Sequence, residues 1–85
     1  MDVKKVIAQY EAIRRLGQTN MFDVRMVELI AYHNGFYELV EAIEEGRYPE
    51  ILVNYGKWIE EVSEDEIPEA KPIEPVWRLR ERCPS

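Results

Sequence analysis

Few side chains in this sequence have types and spacings that could do chemistry. His33 is the only histidine and Cys83 the only cysteine. A zinc site of cysteines and histidines needs several such residues, and so does a cysteine–histidine catalytic site, so the sequence lacks the residues for either. Glu41 and Glu45 lie four residues apart and could share a metal ion, but no second pair of ligands accompanies them. The sequence also has no Gly-rich phosphate loop, HExxH or GxSxG element. We therefore expect no enzymatic activity, metal or cofactor.

The two reactive side chains have simpler interpretations. His33 falls in the last turn of a predicted helix, where the helix dipole favours a cation, which indicates a capping or packing role. Cys83 is expected to be an exposed thiol without a role. One cysteine makes no intrachain disulfide, and no segment reaches the roughly 18 apolar residues of a membrane span. We expect a cytoplasmic protein whose mature form is the whole chain, with no membrane contact.

The length of 85 residues, 46% of them hydrophobic, allows one compact core. A core of this size stabilises a chain by only about 3 to 5 kcal/mol. Self-association or a partner is therefore expected to add stability.

Apolar residues recur at steps of three and four along most of the chain, which predicts an all-α fold, a single bundle of about four short helices. In the first helix the apolar stripe is Val3, Val6, Ile7, Tyr10, Ile13 and Leu16. Off this stripe lie the charged residues Lys4, Lys5, Glu11, Arg14 and Arg15. Gly17 ends the helix, because glycine takes the left-handed conformation without steric cost.

The second and third helices are bounded by polar caps and glycines. Asn20 is the predicted N-cap of the second helix, with Thr19 as the alternative, and Asn34-Gly35 ends it. Its buried face is predicted to hold Val24, Val27, Ile30 and Ala31. The third helix ends at Gly46, and its apolar positions are Phe36, Leu39, Val40 and Ile43.

The fourth helix is predicted to begin near Pro49, which a first helical turn tolerates. Its apolar stripe consists of Ile51, Leu52, Tyr55, Trp58, Ile59 and Val62. Residues 63–75 then hold five carboxylates, one lysine and three prolines, a composition that favours an extended linker. The predicted organisation is a helical domain over 1–62 and, over 63–85, an acidic linker with a short basic tail that contains Trp77.

The spacing of Ala31 and Gly35 resembles that of a DNA-binding helix-turn-helix. The helix after this turn would be the recognition helix, yet it is acidic and has no basic residue before Arg47. Such a helix would meet phosphate with repulsion, and the net charge of −6 has the same effect. We therefore expect no direct DNA binding.

The acidic side chains of the third helix and its end have two interpretations. They are a solvated face that keeps a small protein soluble, or they mimic a nucleic-acid backbone and occupy a channel on another protein. The residues concerned are Glu38, Glu41, Glu44, Glu45 and Glu50.

Most aromatic residues, including Phe22, Tyr55 and Trp58, lie at helical spacing and are expected in the core. Others lie near helix ends, where an exposed patch could bind a protein, and Trp77 either folds back onto the bundle or anchors the tail in a partner. The predicted partner-binding residues are Glu38, Glu41, Glu44, Glu45, Tyr37, Tyr48, Trp77, Arg78 and Arg80.

Two sequence elements also resemble a known family. They are Ala12-Ile-Arg-Arg-Leu-Gly-Gln-Thr-Asn-Met-Phe-Asp23 and Gly35-Phe-Tyr-Glu-Leu-Val40, with Val27 and Ala31 between them. Over roughly residues 7 to 45, the chain resembles very small proteins of uncharacterised function encoded by phages and prophages. The resemblance carries no catalytic residue.

This resemblance implies a context. Small, acidic, non-enzymatic phage proteins often bind a host protein, and inhibitors of host nucleases, anti-CRISPR proteins among them, belong to this class. We therefore expect a phage-type accessory protein that binds and inhibits or redirects a host protein in the host cytoplasm, with a nucleic-acid-handling nuclease complex as one target. The alternatives are a structural or regulatory module that forms a homodimer through its helices and, third, a protein that binds nucleic acid through its arginine-containing tail.

Overall fold

The computed structural model describes residues 2–73, and within them the chain forms four α-helices and two 3₁₀ turns, with no β-strand. The helices are α1 (Val3–Leu16), α2 (Val24–His33), α3 (Tyr37–Glu44) and α4 (Tyr48–Trp58). The 3₁₀ turns follow at Ile59–Glu61 and Glu64–Glu66. The predicted all-α, four-helix bundle is confirmed. In this part of the chain, no helix has the length and apolar character needed to cross a membrane.

The start of α2 differs from the prediction. Its N-cap is Asp23, whose Oδ1 accepts a hydrogen bond from the Met26 backbone N–H at 3.3 Å. The Oδ1 atom of Asn20 instead accepts from the Phe22 N–H at 2.8 Å, which closes a turn before the helix. Asparagine and aspartate are equally good N-caps, and the local turn at Asn20 leaves Asp23 in the capping position. The prediction of Asn20, or alternatively Thr19, as the cap was wrong.

The predicted ends of the helices are confirmed at the glycines. Gly17, Gly35 and Gly46 all have positive φ, at 68°, 74° and 78°. This left-handed conformation suits glycine, because it lacks a Cβ. At Gly35 the reversal lets the Phe36 N–H donate to the Ala31 carbonyl at 2.8 Å, and α3 begins immediately afterwards.

The core lies where α1 packs against α3 and α4, with α2 packed on α3. Its fully buried side chains come from all four helices and are Val6, Ile7, Ile13, Val27, Ile30, Leu39 and Ile51. Two residues expected in the core lie at the surface. Val24 is 37% exposed in the first turn of α2, and Phe22 is 79% exposed just before it. Both precede the second turn of α2, where the helix first becomes buried.

Residues 63–73, called the C-terminal segment below, do not run free of the bundle as a linker would. They contain one 3₁₀ turn, Glu64–Glu66, and then continue without regular secondary structure. Ile67, Ala70 and Ile73 are partly buried against the core. The proline and charge content that favours extended backbone does not reveal that this backbone lies against the helices. The domain boundary at 62 stays a prediction.

Two glycines provide a matched test of the helix ends. Gly35 has φ 74° and Gly56 lies inside α4, and an added Cβ meets nothing within 4 Å at either position. Gly35→Ala is therefore expected to destabilise the fold by about 1 kcal/mol through backbone strain alone. Gly56→Ala is expected to stabilise it by about 0.5 to 1 kcal/mol, because alanine is the better helix former. Urea unfolding measures both, and equal signs would contradict the assignment.

Candidate functional site

The outer face of α3 combines an aromatic residue with carboxylates. Tyr37, Glu41 and Glu44 follow one another at steps of four and three, so they share one side of the helix. All three are exposed, while Leu39, Val40 and Ala42 hold the buried side. The acidic face predicted from the sequence therefore begins with a tyrosine at the N-terminal end of α3.

A second tyrosine extends this face across the break at Gly35. The rings of Tyr32 and Tyr37 meet edge to face, with centroids 5.9 Å apart and an interplanar angle of 68°. They remain 66% and 60% exposed, and Leu29, one turn before Tyr32 on α2, is 56% exposed. We call Leu29, Tyr32, Tyr37, Glu41 and Glu44 together the acidic–aromatic strip.

The predicted acidic residues divide into two groups by their ion pairs. Within residues 2–73, neither Glu41 nor Glu44 forms one. Glu45 lies 3.2 Å and Glu50 3.7 Å from the guanidinium of Arg47. The structure therefore brings the strip's two carboxylates together beside the tyrosines, and partly neutralises the carboxylates beyond the end of α3.

Glu38 is also partnered, and it joins α3 to α1. Its Oε2 accepts from Gln9 Nε2 at 2.8 Å, and its Oε1 lies 4.0 Å from Lys5 Nζ. The same Gln9 side chain accepts from the Leu39 N–H at 2.9 Å, so a residue of α1 caps the start of α3. The Gln9 hydrogen bond, with smaller help from the helical backbone and Lys5, holds the pKa of Glu38 below its ordinary value of 4.5.

Tyr48, predicted to bind a partner, lies in the core. It is 5% exposed, its ring is 6.0 Å from that of Tyr10, and its hydroxyl donates to the Met21 carbonyl at 2.5 Å. Burial raises its pKa far above the usual tyrosine range. The first residue of α4 faces α1 and the α1–α2 loop, so position near a helix end does not imply exposure. Trp77, Arg78 and Arg80, together with Cys83, lie outside the described residues.

One buried charge was not predicted from the sequence. Glu11, placed among the surface residues of α1, is only 2% exposed. Its Oε2 accepts from the Tyr55 hydroxyl at 2.6 Å, and its Oε1 lies 2.7 Å from Arg14 Nε. Arg15 Nε lies 4.0 Å from the same carboxylate. We call these four residues the Glu11 cluster.

Two further contacts within the Glu11 cluster join Arg14 to Tyr55. Arg14 Nε also lies 3.0 Å from the Tyr55 hydroxyl, and its guanidinium lies 5.4 Å from the centre of the Tyr55 ring. Burial and the bond to Glu11 raise the pKa of Tyr55. Arginines three and four residues after Glu11 were the available sequence signal, but the partner on α4 is 44 residues away. The cluster fastens α4 to α1.

The remaining described residues considered for chemistry lie at the surface. His33 is exposed at the end of α2. Glu41 and Glu45 lie on the outside of α3 and at its C-cap. In the described part of the chain, no three histidine, cysteine, aspartate or glutamate side chains are grouped so that they could hold a metal ion.

Comparison with known proteins gives a match to a family. Residues 1–51 match the family described as "Domain of unknown function (DUF5049)". The match covers α1 to α3 and the first turn of α4, more than half of the chain. No curated protein and no solved structure matches the chain.

The Glu11 cluster predicts a strong coupling between two helices. Glu11→Gln and Tyr55→Phe are each expected to lower the free energy of unfolding by about 2 kcal/mol, because the first removes the buried charge that pairs with Arg14 and the second removes the hydroxyl that donates to this charge. In the double variant the losses are expected to overlap by more than about 1 kcal/mol. The exposed controls Glu41→Gln and Tyr37→Phe are expected to change stability by less than about 0.5 kcal/mol. Additive losses in urea unfolding would show that the two side chains act separately.

The lowered pKa of Glu38 predicts that its contribution to stability depends on pH and on the presence of Gln9. Because its folded pKa is lowered, its stabilising contribution is present above pH 4.5 and is lost as the pH falls through the folded pKa. An NMR titration of the carboxyl carbon is expected to give a midpoint below 4.5 in the wild type. Gln9→Ala is expected to move the midpoint up towards this ordinary value. An unchanged midpoint in the folded variant would remove Gln9 as the cause.

Proposed function

The chain belongs to the DUF5049 family, a domain of unknown function, and we propose that it is a phage-type accessory protein that binds a host protein through the acidic–aromatic strip. Binding would inhibit or redirect that host protein in the host cytoplasm, and would need no chemistry of its own. The observation that carries this proposal is the exposed Tyr32–Tyr37 pair beside the two carboxylates Glu41 and Glu44. The sequence resemblance described above supports the phage context.

Exposed aromatic pairs support binding to protein. Tyrosine is enriched among the residues that dominate binding energy, because it provides a large, rigid contact area and a polar tip. The side chains of Leu29, Tyr32 and Tyr37 are all more than half exposed, whereas the large side chains of the core are buried. A clustered apolar patch on a small chain is typical of an interaction surface.

The negative charge of the strip indicates a partner with a basic surface. Glu41 and Glu44 would attract a basic surface, and the net charge of −6 would steer the approach. A basic surface that also accepts aromatic rings is found where proteins hold single-stranded nucleic acid. We therefore favour a nucleic-acid channel of a host nuclease complex as the target, which makes an anti-CRISPR-like activity the specific hypothesis.

The two alternatives are less well supported. A dimer through the apolar stripe of α4 would need that stripe free, but Ile51 is fully buried and Leu52, Tyr55 and Trp58 pack against the chain's own core. Binding of nucleic acid through the arginine-containing tail, which lies outside the described residues, is disfavoured by the net charge of −6. The basic residues of α1 each lie within 4.0 Å of a carboxylate, namely Lys4, Lys5, Arg14 and Arg15.

The proposal predicts which substitutions abolish capture of a host protein. Immobilised protein would be incubated with host lysate, and the captured protein identified by mass spectrometry, purified and titrated directly. Tyr32→Ala/Tyr37→Ala is expected to weaken binding at least about 10-fold through the loss of aromatic anchors. Glu41→Lys/Glu44→Lys is expected to slow association and to reduce its dependence on salt.

Matched controls make the result specific. Phe22→Ala removes another exposed aromatic residue, and Glu60→Lys/Glu61→Lys reverses two exposed carboxylates outside the strip. Both are expected to keep wild-type affinity. If the purified partner binds the strip variants and the wild type equally, the strip is not the interface and the proposal fails.

A further inference from the structure

Two side-chain amides hold the backbone of the C-terminal segment. Asn34 Nδ2 donates to the Lys71 carbonyl at 2.9 Å, and Asn34 Oδ1 accepts from the Lys71 N–H at 2.8 Å. Gln18 makes the same pair of bonds to Ile73, donating to its carbonyl and accepting from its N–H. Each amide thus satisfies both polar backbone groups of one residue, and the two residues held lie two apart. This arrangement recognises extended backbone whatever side chains it carries.

The side chains of the segment have the period of a polyproline II helix. Ile67, Ala70 and Ile73 recur every third residue, and Pro68 and Pro72 fix φ between them. A polyproline II helix has three residues per turn, so the three apolar side chains share one side. All three are partly buried against the core. The segment is therefore bound much as proline-containing peptides are bound by their receptors.

The receiving surface runs along α1, the residue after its C-cap and the C-terminal end of α2. Small residues leave room for the segment, since Pro68 borders a cleft with Ala8 and Gly35, and Ala70 borders one with Ala12. The larger Leu16 also lines the second cleft. We call the surface formed by Ala8, Ala12, Leu16, Gln18 and Asn34 the α1–α2 groove.

Charges on α1 recognise the residues that precede the apolar ones. Arg15 makes a bidentate pair with Glu64, at 2.9 Å and 2.6 Å. Lys4 Nζ lies 3.8 Å from Glu66. Both pairs are at the surface and are worth little stability in water. Their effect is on register, because they fix the acidic residues at the start of the segment against α1.

The contacts of the segment are of a kind that opens easily. They consist of side-chain amides, surface ion pairs and partly buried side chains, and residues 67–73 belong to no helix or strand. Regions of this kind open with a small part of the global unfolding free energy. The family match, residues 1–51, contains both amides and all of the groove but none of the segment.

We propose that the α1–α2 groove is a binding site for an extended, proline-containing peptide segment of another protein, which the chain's own C-terminal segment occupies in the absence of that partner. The partner peptide would have apolar side chains at every third position, preceded by carboxylates that meet Arg15 and Lys4. This groove shares no residue with the acidic–aromatic strip, so the two proposals stand or fall separately. Because the internal segment competes, the apparent affinity of a free peptide equals its intrinsic affinity for the open groove multiplied by the fraction of molecules that are open.

Hydrogen exchange on the unmodified protein tests whether the segment opens by itself. The Lys71 and Ile73 amides are expected to exchange at least about 100-fold faster than those of Ile7 and Tyr10 in α1, because they open locally. Equal protection would mean that the segment leaves the groove only when the whole chain unfolds. That result would overturn the proposal without any substitution.

A synthetic peptide of residues 63–73 carrying a fluorophore tests binding directly. In the full chain, Ile67→Ser/Ile73→Ser removes two apolar anchors of the internal segment. Lys71→Pro removes the N–H that donates to Asn34, which provides a second variant if the first fails to fold. Each is expected to bind the peptide at least about 10-fold more tightly than the wild type does, as measured by fluorescence anisotropy. Val53→Ser, an exposed apolar residue of α4 (84% exposed), is the matched control and is expected to bind like the wild type.

The amide contacts separate this site from a general apolar one. Adding Gln18→Ala to the opened variant is expected to weaken peptide binding about 10-fold, whereas adding Asn54→Ala, whose amide donates within α4 to Glu50, leaves it unchanged. Folded opened variants that bind no more tightly than the wild type would overturn the proposal, as would binding that ignores Gln18. A concentration-dependent dimer of the wild type that excludes the peptide would assign the groove to a second copy and overturn it equally.

Discussion

The carboxylate of Glu11, withdrawn from water between two arginines and a tyrosine, is the interaction on which the arrangement of this small protein depends. A buried charge is tolerated only when its hydrogen bonds are satisfied, and here Tyr55 supplies one from a helix distant in sequence. The charge therefore specifies how α4 lies on α1. Arg15 faces both Glu11 and Glu64, so the same cluster also reaches the first charged residue of the C-terminal segment. A different position of α4 would remove the Tyr55 hydroxyl from the Glu11 carboxylate and leave only Arg14 and Arg15 to pair with it.

Local features of the fold were predictable from the sequence, and distant pairings were not. Gly17, Gly35 and Gly46 act through their own backbone conformation, so the helix ends could be predicted residue by residue. The choice between Asn20 and Asp23 as a cap depends on a turn only two residues long, and intrinsic preference does not decide it. Helical periodicity assigns a charged residue such as Glu11 to the outside because it contains no information about a partner 44 residues away. The exposure of the Tyr32–Tyr37 pair and the burial of Tyr48 could not be predicted for the same reason, since each depends on whether a residue distant in sequence covers the ring.

The acidic character of the chain is unevenly distributed over the described residues. Carboxylates of the C-terminal segment lie against the basic side chains of α1, and those after α3 lie near Arg47. Glu41 and Glu44, like Glu60 and Glu61, are exposed and form no ion pair within residues 2–73, but only Glu41 and Glu44 share a helix face with an exposed tyrosine, Tyr37. The net charge of −6 is therefore a poor description of any one surface, because part of it is used inside the molecule to position elements and part is presented outward. A partner would meet a local pattern of charge and aromatic rings.

The C-terminal segment lies against the first helix of the chain, and this has a consequence for the order of synthesis. Ribosomes add about 5 to 20 residues per second, so roughly 2 to 8 s separate the synthesis of the end of α2 from that of Ile73. Throughout that interval α1 and α2 exist without the segment that later covers them. A newly made chain therefore passes through a state in which Gln18 and Asn34 have no backbone to hold, before Lys71 and Ile73 have been added. The timing of translation, and not only the final equilibrium, decides what this surface meets first.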